Sequence, residues 1–312
     1  MKQITDPAGL RRELDRQRER TRGLVPTMGA LHRGHISLIE RSKAENDITI
    51  VSIFVNPTQF NNPDDLAKYP RDLASDIDKL SQILGDGDIV FTPEAEDIYR
   101  GEEMPAVDLG HLNTVMEGQH RPGHFMGVVR IVKILFELCR PHRAYFGRKD
   151  FQQLAVIKTM VRQLGMDIQI TGCPVVREEN GLAMSSRNER LPDGLRRKAG
   201  IIYSTLRKYS EQQPGDIEKP GGKEGAGDIG ELKDIEKSGY IDVLKEKVRA
   251  EINAVDGLNV EYFEIVDDDK LYPLRSVNDI RSGKNYTGCI AVYAGKVRLI
   301  DNMQFFFPFA KG

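Results

Sequence analysis

Apolar runs alternate with amphipathic stretches along the first half of the chain. Residues 48–57 ("ITIVSIFVNP") are β-branched and apolar on both faces, which predicts a central parallel strand that stops at Pro57. A short strand is predicted over 23–27 ("GLVPT"), and a helix over 35–46 ("HISLIERSKAEN"), where apolar residues recur on one side. The spacing therefore predicts a parallel sheet covered by helices, after a charged opening helix.

The same alternation continues to about residue 176. Helices are predicted over 71–84, 127–139 and 150–165, and strands over 88–93, 143–147 and 167–176. Strands that alternate with helices imply right-handed crossovers and a Rossmann-like, doubly wound parallel α/β sheet. Such sheets bind ligands at the carboxyl ends of their strands. We therefore expect "PTMGALH", "NPTQF" and "GRKD", which each follow a predicted strand, along one edge of one crevice.

The pattern changes at about residue 189. A basic helix ("LRRKAGIIYSTLRKY"), a helix near 241–255 and strands "VEYFEIVD" and "CIAVYAGKVRLID" follow, which predicts a smaller α+β domain. The predicted domains are thus 1–188 and 189–312. Between the helices of the second domain, residues 211–239 hold seven glycines, two prolines and no aromatic residue, which predicts a Gly-rich surface insertion.

Composition narrows the classes of function. The 312 residues are 39% hydrophobic with a formal net charge of −2, which argues against nucleic acid as a partner, so an anionic ligand must meet a local cluster. The three cysteines are widely spaced, which predicts neither a disulfide framework nor a structural metal and fits a reducing cytoplasm. No signal-peptide core is visible, and the most apolar run is too short to span a bilayer. A cytoplasmic protein without a membrane partner is expected.

Two histidines in "PTMGALHRGH" are the first candidates for chemistry. His32 and His35 stand three residues apart at the predicted start of a helix, where free backbone N–H groups already favour an anion. Gly34 would let a phosphate chain come close. A metal pair and two ordinary surface histidines are the alternatives that spacing alone leaves open. The chain has no GxxxxGK[ST] and no GxGxxG after a predicted strand, which favours attack at the α-phosphate over γ-phosphoryl transfer.

Six segments together carry a resemblance to a known family. "VPTMGALHRGH" is similar to the HxGH signature of the nucleotidyltransferase superfamily, to which class I aminoacyl-tRNA synthetases belong. With "FVNPTQF", "EGQHRPGHFMGV", "FGRKDFQQL", "VREENGLAMSSRN" and "GKVRLIDN", in that order, the chain resembles the pantothenate synthetase family over nearly its whole length. The resemblance implies a two-step ligation. The carboxylate of (R)-pantoate attacks ATP to give pantoyl adenylate and pyrophosphate, and the amine of β-alanine then displaces AMP.

The resemblance also implies residues for the nucleotide. A carboxylate that attacks a polyanion needs cations and donors aimed at the leaving group, and His32, His35, Lys149 and Arg187 are the candidates, with Mg²⁺ carried by ATP and no metal bound by protein ligands alone. His35 is the expected proton donor, and His35, His32 and Lys149 are the expected catalytic residues. The residues expected to bind ATP are Met28, Gly29, Ala30, Leu31, His32, Arg33, Gly34, His35, Gly147, Arg148, Lys149, Asp150, Val176, Met184, Ser185, Ser186 and Arg187.

The second substrate is expected at neutral amides. In the family Gln59 and Gln153 hold pantoate, with Gln59 also near β-alanine. A neutral amide can bind a carboxylate without withdrawing the electron density that must attack phosphorus, which is our hypothesis for the choice of glutamine over arginine. Asn56, Arg121 and His124 are second-rank candidates for phosphate or positioning contacts. The loop that contains "MSSRN" is expected to act as a lid, and the family favours a homodimer.

Three other functions are compatible with part of this pattern. A simple adenylyltransferase would share the fold and the HxGH signature but would stop after pyrophosphate release. A tRNA synthetase disagrees with a nearly neutral chain that has no basic anticodon-binding domain. A catalytically dead nucleotide-binding regulator would have lost His32, His35 or Lys149, all of which are present.

Overall fold

The computed structural model describes residues 1–211 and 235–307. The chain forms two compact units. The first comprises Met1–Val176 together with Met184–Arg187, and the second comprises Arg177–Ala183 and the described residues from Asn188 onward. No helix in the described part of the chain combines the length and the apolar character needed to cross a membrane.

A parallel sheet forms the centre of the first unit. Its strands in chain order are β1 (Lys2–Ile4), β2 (Arg22–Thr27), β3 (Ile48–Ile53), β4 (Ile89–Phe91), β5 (Arg143–Gly147) and β6 (Gln169–Cys173). They lie in the order β1-β4-β3-β2-β5-β6, and every neighbouring pair is parallel. The predicted doubly wound parallel α/β sheet is confirmed, while the short edge strand β1 was not predicted.

Helices connect these strands and cover the sheet. In chain order they are α1 (Pro7–Arg16), α2 (Arg33–Glu45), α3 (Pro63–Ala67), α4 (Leu73–Ser81), α5 (Ala95–Tyr99), α6 (Met116–His120), α7 (His124–Cys139) and α8 (Phe151–Gln163), with 3₁₀ turns at Pro57–Gln59 and Gly110–Asn113. Strand β3 is buried along almost its whole length because helices cover both of its faces. It ends at Ile53, four residues before Pro57, and the chain then enters the turn at Pro57.

The direction of winding reverses between β2 and β5. After β2 the chain crosses to β3 on one side, and after β5 it crosses to β6 on the other. The carboxyl ends of β2 and β5 therefore flank the topological switch point, where open α/β sheets leave a crevice for ligands. This geometry places the segments after β2, β3 and β5 at one edge, as the sequence predicts.

The second unit is the predicted α+β region. Its antiparallel sheet has the order β7 (Leu258–Asp267), β8 (Tyr286–Ala294) and β9 (Val297–Phe305), and its helices are α9 (Asp193–Lys198), α10 (Ile201–Ser210) and α11 (Ile235–Asn253). A single core joins the inner faces of these helices and strands, with Leu206, Ile241, Leu244 and Phe263 fully buried. Apolar residues on one face of each element therefore meet, as in other two-layer α+β domains.

Two segments of the second unit differ from the sequence prediction. "CIAVYAGKVRLID" is not one strand: Gly295, at φ 58°, turns the chain back, so its halves pair as β8 and β9. The predicted basic helix is divided into α9 and α10 near Ala199 and Gly200. Of the predicted Gly-rich insertion, residues 212–234 lie outside the described part of the chain, and 235–239 belong to α11.

Candidate active site

A cavity opens at the carboxyl edge of the parallel sheet, within the first unit. Residues that follow β2, β3, β5 and β6 line it, and so does the segment Met184–Arg187, which belongs to the same unit. With its opening to solvent the cavity encloses about 1200 Å³. Its wall combines apolar side chains with a small number of polar and charged ones, as is usual in ligand sites.

Most of the predicted site residues meet in this cavity. The predicted residues that line it are Met28, His32, Gly34, His35, Asn56, Gln59, Gly147, Lys149, Asp150, Gln153, Val176, Met184, Ser185, Ser186 and Arg187. The other predicted residues do not line it: Gly29, Ala30, Leu31, Arg33, Arg121, His124 and Arg148. Arg33 and Arg148 are exposed, whereas Leu31 is buried in the core behind the loop.

The two histidines cap helix α2 together. His32 is the N-cap residue, and its Nδ1 accepts the backbone N–H of Gly34 at 3.1 Å. His35 is the third helical residue, and its Nδ1 accepts the backbone N–H of His32 at 3.4 Å. This is the reciprocal arrangement of a capping box, built from imidazoles instead of the usual hydroxyl and carboxylate. The rings stack with centroids 4.0 Å apart, and a Cβ at Gly34 would lie 2.8 Å from the His32 ring.

These hydrogen bonds define the chemistry of both rings. Because each Nδ1 accepts an N–H, a neutral ring must carry its proton on Nε2 and can donate from there. Burial lowers the pKa of His35 well below its usual value, and the charges of His32, Lys149 and Lys79 lower it further. His35 is therefore a neutral hydrogen-bond donor at neutral pH. An aligned pair of such donors at a helix start suits a polyphosphate.

A buried carboxylate holds the loop that leads to the histidines. Gly29 and Ala30 both adopt positive φ, 77° and 48°, and a positive φ is costly for alanine. Asp76, at 1% exposure, accepts the backbone N–H groups of Ala30 and Leu31 at 2.8 and 2.7 Å. Lys79 Nζ donates to the carbonyl of Leu31 at 2.8 Å. Helix α4 thus fixes the loop from behind, and with it the position of the His32 N-cap.

The segment Met184–Arg187 reaches the same loop from the other side. Ser186 Oγ donates to the carbonyl of Ala30 at 3.1 Å, and Met184 N–H donates to the carbonyl of Val176 at 2.9 Å. The Arg187 guanidinium meets Asp65 through two contacts, Nη2–Oδ2 at 2.6 Å and Nε–Oδ1 at 3.2 Å. Arg187 therefore lines the cavity while it is held by a carboxylate of α3.

Neutral amides occupy another part of the cavity wall. Asn56 is 1% exposed and ends the connection after β3, where its side chain caps the turn Pro57–Gln59. Its Nδ2 donates to Gln59 Oε1 at 3.0 Å. The backbone carbonyl of Gln59 accepts from His124 Nδ1 at 2.8 Å. His124 is thus a support beneath the turn, and Arg121 lies 3.4 Å from the carboxylate of Glu117.

The segment after β5 brings a charged and a neutral side chain to the same cavity. Lys149 and Asp150 line it, and Asp150 is the N-cap of α8. Gln153 follows on the first turn of α8 and also lines the cavity. Its neighbour Gln152 is buried and holds the backbone of α6 instead, because successive helical residues point to different sides.

The Tyr99 hydroxyl donates to Asn56 Oδ1 at 2.5 Å and supports the amide wall. Sequence reasoning missed four supporting residues: Asp65, Asp76, Lys79 and Tyr99. Asp76 and Lys79 read as polar positions of an amphipathic helix, and Asp65 as an ordinary acidic residue in a first turn. Only the fact that Asp76 lies on the buried face of α4 could have drawn attention to it, since a buried carboxylate needs partners. For the other three, the partners are distant in sequence and no local signal exists.

Comparisons with known proteins show which family the chain belongs to. Residues 2–304 match the model of the family described as pantoate-beta-alanine ligase. The chain belongs to this family. A pantothenate synthetase of Azobacteroides pseudotrichonymphae is 46% identical over 290 residues, which are 93% of this chain and 94% of that protein. The resemblance inferred from the six sequence segments is therefore confirmed.

Solved structures extend the likeness to three dimensions. The pantothenate synthetase of Thermus thermophilus is 38% identical with a TM-score of 0.81, over 97% of this chain and 99% of that chain. The pantoate-beta-alanine ligase of Francisella tularensis, complexed with beta-gamma ATP and β-alanine, is 32% identical with a TM-score of 0.71, over 97% of each chain. The chain is thus an enzyme of a family that ligates pantoate and β-alanine and uses ATP as a substrate.

Proposed function

We propose that the cavity of the first unit carries out both steps of an ATP-dependent condensation of (R)-pantoate with β-alanine. In the first step a pantoate carboxylate oxygen bonds to the α-phosphorus of ATP and pyrophosphate leaves. In the second, the amine of β-alanine bonds to the acyl carbon, loses a proton and expels AMP, giving pantothenate. The observation that carries this proposal is that the histidine pair at the start of α2, His32 and His35, lines the same cavity as the neutral amides.

The phosphate end of the cavity is assigned to the residues around the start of α2. Negative charge builds up on pyrophosphate as it leaves. We assign the stabilisation of this charge to the Nε2–H donors of His32 and His35 and to the cations Lys149 and Arg187. The lowered pKa of His35 favours a neutral donor that stabilises the leaving group over an imidazolium that gives up a proton. Arg187 would exchange one or both contacts with Asp65 for phosphate oxygens.

The acid is assigned to the amide end. Gln59 and Gln153 would donate N–H groups to pantoate. An arginine there would bind the carboxylate more tightly in the ground state and would lower its reactivity toward phosphorus. Neutral donors hold the nucleophile in place and leave it nucleophilic, which is the reason we give for this choice of residue.

Mg²⁺ is proposed as a companion of ATP. Among the described residues that line the cavity, Asp150 is the carboxylate, and the carboxylate of Asp76 is committed to two backbone N–H groups. This donor set fits an ion held chiefly by phosphate oxygens with Asp150 nearby, as Mg²⁺ commonly is in nucleotide sites. When bound, the ion neutralises charge on the departing pyrophosphate.

The proposal extends to the domains, the oligomeric state and the location of the protein. Residues 1–188 would bind nucleotide and pantoate, and 189–312 would act as a lid that protects the adenylate from water. We also propose a homodimer in the cytoplasm. The cysteines Cys139, Cys173 and Cys289 are buried thiols, which suits a reducing compartment. Gel filtration with light scattering tests the dimer.

Pantoate-dependent exchange of labelled pyrophosphate into ATP tests the first step. The purified enzyme should support exchange with pantoate alone, because adenylate formation is reversible. Addition of β-alanine should then yield pantothenate and AMP in equal amounts. Exchange that occurs without any carboxylate, or release of ADP in place of AMP, would refute the proposal. AMP formation without pantothenate would limit the enzyme to the first step.

A further inference from the structure

A chain of hydrogen bonds runs from α5 to the amide end of the cavity. Tyr99 is the last residue of α5, and its hydroxyl donates to Asn56 Oδ1 at 2.5 Å. Asn56 Nδ2 donates to Gln59 Oε1 at 3.0 Å, and Gln59 Nε2 lies 2.9 Å from Met28 Sδ. Asn56, Gln59 and Met28 line the cavity, whereas Tyr99 does not.

Backbone groups determine which way the Asn56 amide faces. Its Oδ1 accepts the backbone N–H of Thr58 at 3.1 Å, which only an oxygen can do. Its Nδ2 donates to the backbone carbonyl of Gly127 at 3.1 Å, which only a nitrogen can do. The second hydrogen on Nδ2 must therefore meet an acceptor, so the Gln59 amide oxygen faces Asn56. Gln59 is left with its NH₂ group on the cavity side.

We propose that Tyr99 is a positioning residue that, through Asn56, keeps the Gln59 amide turned with its donor group toward the carboxylate substrate. This inference rests on the proposed function, because it assigns Gln59 to pantoate. A carboxylate is an acceptor only, so a Gln59 amide turned the other way would set oxygen against oxygen. Sulfur is a weak acceptor, so the contact with Met28 is readily exchanged for a carboxylate oxygen.

Tyr99 connects Asn56 to a part of the unit outside the turn Pro57–Gln59. The donors Thr58 N–H and Thr58 Oγ1 belong to the turn that carries Gln59, so they move with it. The Tyr99 hydroxyl on α5 and the Gly127 carbonyl on α7 come from other helices, and together they tie Asn56 to the body of the unit; of the two, the hydroxyl is the side-chain group that a substitution can remove. The Arg130 guanidinium carbon lies 4.4 Å from the centre of the Tyr99 ring, and Phe54 contacts the ring edge-on. Burial raises the pKa of Tyr99, so the phenol keeps its proton and donates.

The variant Tyr99→Phe removes only the hydroxyl and leaves the ring against Phe54 and Arg130. In the pyrophosphate exchange assay we expect the KM for pantoate to rise about fivefold, in line with the loss of one neutral hydrogen bond. The KM for ATP and the thermal midpoint should stay within about twofold and about 3 °C of the wild type, because one such bond is a small part of the stability. Tyr272→Phe, at an exposed tyrosine of the second unit, is the matched control and should change neither constant.

A double-mutant cycle with Gln59→Ala separates positioning from general destabilisation. If Tyr99 acts through Gln59, Tyr99→Phe should not raise the pantoate KM further once Gln59 is alanine. The same fivefold rise in both backgrounds, no rise in either, or an equal rise in the KM for ATP overturns the inference. Wild-type enzyme that shows no pantoate-dependent exchange refutes the proposed function instead, so the two failures are distinguishable.

Discussion

The two ends of the cavity hold their ligand-facing groups in different ways. At the phosphate end, the Nδ1 atoms of His32 and His35 bond to the backbone of α2, and Asp76 and Lys79 fix the preceding loop through main-chain bonds. At the amide end, Gln59 is held through a chain of side chains that begins at Tyr99. The histidine pair is thus positioned by main-chain hydrogen bonds, whereas the Gln59 amide is held by a network of neutral side chains.

This difference agrees with what we propose that each end binds. A departing pyrophosphate carries several charges, and preorganised donors in a rigid frame lower the free energy of the transition state most effectively. A nucleophilic carboxylate needs a defined position with little stabilisation of its charge, and neutral amides provide that. We therefore expect changes at the phosphate end to lower the rate of chemistry, and changes at the amide end to raise the KM for pantoate.

The variant His35→Ala should have the largest effect. Loss of one donor to a developing oxyanion typically lowers a rate about 100- to 1,000-fold, and we expect a loss of this size in pyrophosphate exchange. His35→Gln should recover part of the activity, because glutamine at the third position of a helix can still complete a capping box and donate from Nε2. A loss of less than about threefold for His35→Ala would contradict the proposal that the phosphate end contributes to the rate of chemistry.

Acid stability tests the support beneath the amide end. Burial lowers the pKa of His124 to about 4 in the folded chain. In the unfolded chain the imidazole has its usual pKa of 6.5 and is protonated at a higher pH. The stabilisation is complete above about pH 6.5 and is lost as the pH falls toward 4, by about 3 kcal/mol in the free energy of unfolding. Urea titrations at pH 7.5 and 4 measure it.

The control for this prediction is His124→Asn, whose Nδ2 can donate to the Gln59 carbonyl in place of the imidazole. Asparagine does not titrate in this range. The variant should therefore lose about 3 kcal/mol less than the wild type between the two pH values. Identical losses in both proteins would show that another group is responsible.

The contrast between the two ends also explains how far the sequence could predict the site. His32 and His35 were identifiable because a glycine-spaced pair at a helix start has a physical reason to bind an anion, and the order of elements brought Gln59 and Lys149 to the same edge. Their mutual capping was not predictable, since it depends on ring orientations. The sequence predicts that Gly34 leaves room for phosphate, and the structure adds a second reason for glycine, because a Cβ at this position would meet the His32 ring.

Contacts between distant segments account for what was missed. Asp76 meets the loop at Ala30 and Leu31, and Tyr99 meets Asn56, over separations of more than forty residues. Neither residue stands in a motif, and each is an unremarkable choice for its helix. The hairpin at Gly295 was missed for the opposite reason, because both of its strands are apolar and their pattern continues across the turn.

The variant Asp76→Asn should be intermediate in effect. One amide oxygen cannot replace two carboxylate oxygens that accept from Ala30 and Leu31, and the amide NH₂ would face a backbone N–H. Hydrogen bonds to charged groups contribute about 1.5–3 kcal/mol, so exchange should fall about 10- to 100-fold, chiefly in the rate. Asp78→Asn, an exposed change on the same helix, should have no effect. A rise in the pantoate KM with an unchanged rate would contradict the division between the two ends.

A smaller effect than that of Asp76→Asn is expected at Gln153, where the neighbouring residue offers a matched control. Gln153→Ala should raise the KM for pantoate about tenfold and leave the KM for ATP and the stability nearly unchanged, because the side chain lines the cavity and one hydrogen bond is lost. Gln152→Ala should do the reverse. Gln152 accepts from Glu117 N–H and donates to the carbonyls of Leu112 and Val115, so its loss leaves buried groups unpaired.

The expected cost of Gln152→Ala is about 2–3 kcal/mol in the free energy of unfolding, with little change in either KM. Steady-state kinetics and urea unfolding on both variants therefore separate recognition from support within one turn of α8. An equal rise in the KM for pantoate and for ATP in Gln153→Ala would place this residue between the two ends. Neutral amides would then no longer distinguish the site of the nucleophile from that of the nucleotide.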